Sequence, residues 1–353
     1  MITQSANPVL AVVGSFSIDS VLTQDGRHVV GKVGGNALWS SLGALIAGNA
    51  PRIITVVGDD YPQDVLSALC EAGIDTSAVR RIARSHPVRV TFAHMSDGTR
   101  LQPVPDHMIQ KLPEADRAAF VDTTMLSDVL PLGAPNAADV PDAWLKEVDH
   151  WHLPLLPLIR HRSLVARISA GRGVLQTDCP ARSDLLSDAF ARLAVTLRDI
   201  NIFLPSTSDF DVIAPRLNIE DLLLQLRSQG AHTVVLKAGA AGVYILWGDE
   251  YFHIPAYEAA AIDPTGAGDA FCGGFMTGMA SEGDVVAAAA LGSAAASFAI
   301  ATEDPLTLIG VSRDHVRNRA RHLQRMAKRI GRKDLPGTGT GRGGQSISSA
   351  VNE

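Results

Sequence analysis

The sequence predicts an α/β fold in which a doubly wound, mostly parallel sheet carries a small β-sheet lid. Short apolar runs end at or near glycine and alternate with helical patterns, which is typical of parallel strands with helices on both faces; these runs are 9–13, 53–57 and 233–236. Two other segments, at about 20–33 and 88–104, alternate polar and apolar residues. That alternation is typical of half-buried strands and does not suit a parallel core.

The two alternating segments are predicted to form the lid, a separate small sheet over one end of the main sheet. Asp97-Gly98 is the signal for a hairpin turn within it. Amphipathic helices are predicted at 64–72, 185–197 and 219–227. Because strands and helices alternate along the chain, the core is assigned to the doubly wound class.

The composition limits the classes of function. The chain has 353 residues, of which 46% are hydrophobic and 19% are charged, so it can bury a sizeable core and is not a disordered protein. Its formal net charge of −6 disfavours a nucleic-acid partner, which needs a basic face. Cys70, Cys179 and Cys272 are too few and too scattered for a disulfide framework. Reduced thiols of this kind are typical of a cytoplasmic location, which is the expectation here.

Two segments bear on the organisation of the chain. Residues 285–301 are apolar but consist mainly of Ala, Ser and Gly, which partition weakly into lipid, so a buried helix is predicted and no membrane partner. Residues 333–353 are rich in Gly, Ser and Thr and have no apolar period, which predicts a disordered tail. The chain is therefore predicted to be one domain, residues 1–332, followed by this tail.

The strongest chemical signal is the segment Asp263-Pro-Thr-Gly-Ala-Gly-Asp269, in which a turn leads into a helix that begins near Ala267. Gly266, Ala267 and Gly268 leave the first backbone amides of the helix bare, and such amides favour an anion. We call these three residues the anion hole. Asp269 lies in the first turn, where a carboxylate is suited to accept a proton from an attacking hydroxyl.

This segment and the AFCGGFM that follows it resemble the signature of the PfkB carbohydrate kinases, the ribokinase-like family. The resemblance covers about 10–301 and implies a ribokinase-like, Rossmann-like core with a small β lid. It implies magnesium-ATP as the donor and a sugar or sugar-like small molecule as the acceptor. It also implies, for many members, a monovalent cation such as potassium near the anion hole, and Asp263 is the candidate ligand. Lid strands often pair in dimers of this family, which makes a homodimer through the lid an option.

Other segments match the family in chain order, and the resemblance assigns their roles. The candidate substrate-binding residues are Asp19, Gly34, Gly35, Asn36 and Trp39. The candidate ATP-binding residues are Lys237, Gly239, Gly242 and Thr265. From the residues alone, Lys237 could equally be a solvated side chain, and the two glycines after it could form an ordinary turn.

Two departures from the family pattern affect what the resemblance implies. The family usually carries Asn-x-x-Glu after a strand to organise magnesium, whereas Ser206 and Asp209 stand at these places here. Both offer oxygen, so they are predicted to hold magnesium through water. The usual substrate-contacting Asn is also absent. Asn36 directly follows the paired glycines, where it could be a helix N-cap, and Trp39 near the expected place would give the pocket an apolar wall.

The sequence therefore predicts an ATP-dependent kinase with Asp269 as the general base. Two alternatives stay open. A nucleoside kinase of the same family would suit an apolar wall at Trp39, and a catalytically weak, nucleotide-binding regulatory homologue would suit the altered pair Ser206 and Asp209. The identity of the substrate, the position phosphorylated and the oligomeric state do not follow from the sequence.

Overall fold

The computed structural model describes most of the chain. The described residues are 7–23, 25–95, 100–124, 126, 129 and 132–336. The predicted hairpin turn at Asp97-Gly98 and the part of the predicted tail beyond residue 336 lie outside them.

The described residues form fourteen strands. They are β1 (Leu10–Val13), β2 (Ser17–Leu22), β3 (His28–Gly34), β4 (Arg52–Gly58), β5 (Asp75–Ile82), β6 (Arg89–His94), β7 (Arg100–Leu101), β8 (His150–Leu153), β9 (Val174–Thr177), β10 (Ile202–Phe203), β11 (Thr233–Lys237), β12 (Val243–Trp247), β13 (Glu250–Ile254) and β14 (Lys328–Ile330).

Ten of these strands make the main sheet, in the order β14-β13-β12-β11-β10-β9-β8-β1-β4-β5. The seven strands from β11 to β5 pair in parallel, and β12, β13 and β14 extend the sheet in antiparallel fashion. The predicted doubly wound, mostly parallel sheet is confirmed. The chain passes from β1 to β4 on one side and later returns to β8 on the other, and ligands of such sheets bind beyond the carboxyl ends of the strands near this reversal.

The described residues also form twelve α-helices. They are α1 (Asn36–Ala47), α2 (Gln63–Glu71), α3 (Asp106–Ile109), α4 (Glu114–Arg117), α5 (Trp144–Glu147), α6 (Leu158–Ile168), α7 (Ala189–Leu197), α8 (Thr207–Ile213), α9 (Ile219–Ser228), α10 (Ala267–Glu282), α11 (Val285–Ala299) and α12 (Arg313–Met326).

One helix begins later than the sequence predicts. The predicted helix at 185–197 is a 3₁₀ turn over Arg182–Leu185 followed by α7, which begins at Ala189. Asp188 has the left-handed φ of 59°, so it breaks the backbone between the two. The helices predicted at 64–72 and 219–227 are confirmed to within one residue as α2 and α9.

Helices α1, α10 and α11 pack closely on one face of the main sheet. Gly43 in α1 lies against the backbone of Ala270 in α10, and Gly278 in α10 lies against Ala288 in α11. A Cβ on either glycine would overlap these neighbours, so the small residues set the spacing of the helices. Helix α11, which is rich in alanine, is buried in this layer as predicted. No helix in the described part of the chain is long and apolar enough to cross a membrane.

The lid is a four-stranded sheet with the order β3-β2-β6-β7. Strand β2 pairs in antiparallel fashion with β3 and in parallel with β6, so the separate small sheet is confirmed as a mixed sheet. It has an apolar cluster of its own, made of Leu22, Ala93, Val104, Leu112 and Phe120.

At the other end of the chain, packing continues past the predicted domain boundary at residue 332. Residues Arg332–Asp334 form a 3₁₀ turn. Leu335 is buried in an apolar cluster on the opposite face of the main sheet from α10, together with Val13, Trp151 and Phe203.

Candidate active site

Helix α10 begins where the sequence predicts, with Gly266 as its N-cap in the left-handed region at φ 77° and no side-chain cap. The indole ring of Trp39 lies directly against Gly266, so that a Cβ at this position would overlap the ring. Glycine is therefore required at 266 by backbone conformation and by space. The amides of Gly268 and Asp269 have no acceptor among the described residues, which leaves them available to an anion, whereas the Ala267 N–H makes a long hydrogen bond of 3.3 Å to the Pro264 carbonyl.

Asp269 lies in this first turn, partly exposed. Among the described residues, no hydrogen-bond donor or cation contacts its carboxylate. Burial raises the pKa of Asp269 to about 8, the charge of Asp178 raises it further and that of Lys237 opposes the rise. The arrangement leaves an unpartnered carboxylate of high basicity beside the anion hole, as a general base requires.

Beneath the anion hole lies a buried ion pair between Lys237, the last residue of β11, and Asp178, which follows β9. The Lys237 Nζ is 2.6 Å from Asp178 Oδ2 and 3.4 Å from Cys272 Sγ, one helical turn beyond Asp269. It also lies 3.6 Å from the point at which a Cβ on Gly268 would stand. The alternative interpretation, that Lys237 is a solvated side chain, is wrong, because only 9% of the residue is exposed.

Burial alone would lower the pKa of Lys237, but Asp178 and the neighbouring Cys272 and Asp209 raise it above its usual range, so the lysine stays charged. Burial raises the pKa of Cys272, which stays a neutral thiol beside it. Lys237 therefore places a permanent positive charge next to the anion hole, and Asp178 behind it carries the opposite charge. Sequence reasoning missed Asp178, although it directly follows the apolar run of β9, at the edge where the other site residues gather.

Ser206 and Asp209 form the capping box that begins α8. The Asp209 carboxylate accepts a hydrogen bond from the Ser206 backbone N–H at 2.9 Å, and Arg182 Nε lies 3.9 Å from its other oxygen. Burial raises the pKa of Asp209, and the nearby charge of Asp178 raises it further. The structure thus gives this pair a helix-capping role, and it places Asp209 electrostatically close to Asp178 and Asp269.

On the acceptor side, Asp19 in β2 is buried, and its Oδ1 has no partner among the described residues. Burial raises the pKa of Asp19 to about 6, while Ser17, Lys32 and Arg100 lower it. Gly34 in β3 lies beside the Asp19 side chain, so close that a Cβ there would overlap its carboxylate. The partnerless oxygen is a free acceptor for a hydroxyl.

Gly35 caps α1 with φ 102°, and a Cβ there would be 2.5 Å from the Ser15 carbonyl oxygen. The suggestion that Asn36 is the N-cap is therefore wrong, because Asn36 is the first helical residue. Its side chain is already committed to the backbone. Oδ1 accepts from the Ser15 N–H at 3.0 Å and Nδ2 donates to the Leu155 carbonyl at 2.6 Å. Asn36 therefore joins the backbone at Ser15 to the backbone at Leu155, and this use of its amide group does not support a contact with substrate.

Trp39 does not form an open wall of a pocket. It is 2% exposed, and its ring supports the turn at Gly266 from below. The prediction that Trp39 forms an apolar wall of the substrate pocket is therefore wrong. Trp39 instead packs beneath Gly266 and so positions the turn that contains the anion hole.

The predicted nucleotide loop is a 3₁₀ turn over Gly239–Ala241, directly after Lys237. Gly239 and Gly242 both have positive φ, at 56° and 89°. Gly239 has open space around it, whereas Gly242 lies against the Ile254 carbonyl. The end of the loop at Gly242 is thus packed against the β12–β13 hairpin, whereas the end at Gly239 has no close neighbour.

Asp263 and Thr265 lie in the turn that leads into α10, and this turn meets the lid. The Asp263 carboxylate accepts from the Thr265 N–H at 2.8 Å and lies 3.3 Å from Lys32 Nζ of β3. Nε2 of His94 in β6 is 3.8 Å away. Burial acts to raise the pKa of Asp263, but Thr265, Lys32 and His94 together lower it below its usual value. Arg100 of β7 donates to Thr265 Oγ1 at 3.5 Å.

Comparison with known proteins places this site in a family. Residues 136–307 match the family described as pfkB family carbohydrate kinase. A cytidine kinase of Thermococcus kodakarensis is 26% identical over 277 residues, covering 76% of this chain and 87% of that protein. A ribokinase of Haemophilus influenzae is 23% identical over 315 residues, covering 82% and 92%. An E. coli structure assigned as ribokinase II, in complex with ATP and Mg²⁺, has a TM-score of 0.68 at 18% identity, covering 89% and 99%.

The structural likeness confirms the ribokinase-like fold predicted from the sequence. The class defined by these matches is that of phosphotransferases with a hydroxyl acceptor. Residues 136–307 match the PfkB family, so the resemblance carried by residues 263–276 is confirmed.

Proposed function

We propose that this protein transfers the γ-phosphoryl group of ATP to a hydroxyl of a sugar or sugar-like small molecule, with Asp269 as the general base. The observation that carries the proposal is the start of α10. An unpartnered carboxylate with a pKa of about 8 lies in the first turn of a helix in which the amides of Gly268 and Asp269 have no acceptor among the described residues. A base and an anion site in one turn suit a reaction in which a hydroxyl loses a proton while it attacks a phosphoryl group.

Three groups of this chain have distinct parts in the proposed reaction. Asp19, with its partnerless oxygen, orients the acceptor by accepting a hydroxyl hydrogen bond. Asp269 takes the proton from the attacking hydroxyl. The amides of the anion hole stabilise the charge of the transferred group, and the Lys237 ammonium beside Gly268 adds a fixed positive charge. Each of these effects is positional or electrostatic, which is where phosphoryl transfer gains most of its rate.

Magnesium fits the donor set next to this helix start. Burial and the nearby charge of Asp178 raise the pKa of Asp209, and a divalent cation bound beside the two carboxylates would neutralise their negative charge. Among the described residues, no group of three or more His, Cys, Asp or Glu side chains is arranged to hold a metal ion. This suits magnesium, which keeps waters and binds one or two carboxylates together with substrate phosphates. When bound, it would neutralise the nucleotide phosphates.

A nucleoside kinase is the second candidate for the acceptor class. The cytidine kinase relative favours it, because it covers 76% of this chain. Trp39 does not favour it, since that ring lies beneath the anion hole and is 2% exposed. A regulatory homologue without activity is disfavoured by the free, basic carboxylate of Asp269, which a purely binding protein does not need.

An assay of ADP release over a panel of sugars and nucleosides tests these proposals together. Sugar-dependent release supports the carbohydrate kinase, and nucleoside-dependent release supports the second candidate. Tight ATP binding without turnover on either class would overturn both in favour of the regulatory homologue.

The homodimer through the lid is proposed on the exposure of the lid's edge strand. Val29 and Val30 of β3 are 38% and 41% exposed. An edge strand with exposed apolar side chains is suited to pair with a second copy. Light scattering on the full chain, compared with a Val30→Lys variant, tests it. A monomeric mass for the wild type at working concentration would overturn the proposal.

A further inference from the structure

The turn before the anion hole does not fit the monovalent cation that the family resemblance implies. A potassium site needs several oxygens that are free to turn toward the ion. Here the Asp263 carboxylate already faces the Thr265 N–H, the Lys32 ammonium and the His94 ring. The Ile300 carbonyl nearby accepts two backbone amides, from residues 262 and 263.

A positive charge is nevertheless present at this place. The Nζ of Lys32 is 3.3 Å from Asp263 Oδ2, and the two side chains are 13% and 4% exposed. An ammonium group has the same charge as potassium and is similarly compact, so it can neutralise the buried carboxylate as the ion would. We propose that Lys32, carried by the lid, supplies the cation of this site and that the enzyme needs no bound potassium.

The position of Lys32 in the chain adds a consequence. Lys32 belongs to β3, where it is the register partner of Asp19 in β2. The residue that neutralises Asp263 therefore moves with the strand pair that holds the acceptor. Asp263 is three residues before Gly266, and the Ala267 N–H donates to the Pro264 carbonyl at 3.3 Å, so the turn is continuous with the anion hole.

The test compares the full-length wild type with Lys32→Met, which is one atom shorter, keeps the apolar stem and removes the charge. Binding of thallous ion, the NMR-active stand-in for potassium, is titrated without substrate. Turnover is measured in potassium and in tetramethylammonium salts of equal ionic strength. The turnover arm rests on the proposed kinase function, whereas the thallium arm does not. If no acceptor is turned over in either salt, the proposed function fails and the thallium arm alone decides the inference.

For the wild type we expect no saturable thallous binding and less than about a twofold difference in turnover between the salts. For Lys32→Met we expect turnover to fall by about tenfold or more in tetramethylammonium, because the buried Asp263 carboxylate loses its ammonium partner. In potassium we expect turnover to recover and thallous binding to be saturable. Lys32→Arg retains a cation and should stay independent of potassium.

Arg27→Met is the matched control. It removes a lid cation that pairs only with the exposed Asp25 among the described residues, and it should leave the salt dependence unchanged. Saturable thallous binding by the wild type that potassium displaces would overturn the proposal. The proposal would also be overturned if potassium raised the turnover of the wild type and raised that of Lys32→Met by no larger factor. If Lys32→Met fails to fold, the wild-type and Lys32→Arg measurements decide the question by the same criteria.

Discussion

The start of α10 and the lid meet at one turn, but they are held in different ways. The helix start rests on the core. Trp39 packs beneath Gly266, and the buried pair of Asp178 and Lys237 lies beside Gly268. The lid has a separate apolar cluster, and its contacts with the turn at Asp263 that are described above are polar. The groups proposed for phosphoryl transfer are thus set in the core, whereas Asp19, proposed for the acceptor, lies in a lid that packs on the core through Ile18 and Val33 and meets the turn at Asp263 through polar and charged side chains.

The largest expected effect is that of Asp269→Asn. We expect turnover to fall by about 10²–10⁴-fold, because a positioned base contributes that much to a proton transfer. The fold and ATP binding should be retained, since the carboxylate has no partner among the described residues to lose. Steady-state kinetics and calorimetric ATP titration check the two halves of this expectation. Turnover near that of the wild type would show that another group takes the proton.

The next largest effect is expected when the buried ion pair is broken. Lys237→Met leaves the buried Asp178 carboxylate without its charged partner, which should lower the free energy of unfolding by about 3–5 kcal/mol. Urea denaturation measures it. Arg329→Met is the matched control, because its pair with Glu250 is exposed and should contribute about 0–1 kcal/mol. Equal losses in the two variants would mean that the Asp178 pair is no more important to the core than a surface pair.

A smaller effect is the difference in free energy of unfolding between alanine variants of the two glycines at the ends of α10. Gly266 and Gly283 both have left-handed φ, at 77° and 67°. Alanine should cost about 1–2 kcal/mol at either position through backbone strain. At 266 the new methyl group also overlaps Trp39, for which a further ~1–3 kcal/mol is expected. Thermal or urea unfolding of both variants gives the difference. If Gly283→Ala costs as much as Gly266→Ala, Trp39 does not support the turn as described.

The smallest effect is on pH dependence. Only deprotonated Asp269 can accept the proton, so kcat/KM should rise about tenfold per pH unit below the pKa of about 8 and level off above it. Asp178→Asn should move this inflection to lower pH, by about one unit or less, because a nearby negative charge is removed and Lys237 loses its partner. A pH–rate profile of each protein checks the shift. An inflection that stays in place would show that Asp178 does not act on the base.

Much of this arrangement could be predicted where the determinants are local in the chain. The helix start at Ala267 follows from the glycines and the turn beside it, and the lid follows from alternation within its own strands. The pairing of Lys237 with Asp178 could not be predicted, because 59 residues separate them and only the parallel alignment of β9, β10 and β11 brings the strand ends together. Trp39 was misplaced for a similar reason, since its contact with Gly266 depends on how α1 packs against α10.

The sequence by itself determined the family signature, the doubly wound core and the place of Asp269 in the first turn of a helix. Each of these depends on residues within one short segment or on a repeating local pattern. The tertiary structure decided which charges surround that carboxylate and which residue neutralises Asp263. The reason is physical. Burial and the positions of charges distant in the chain set the basicity of a carboxylate, and both exist only once the strands and the lid have packed.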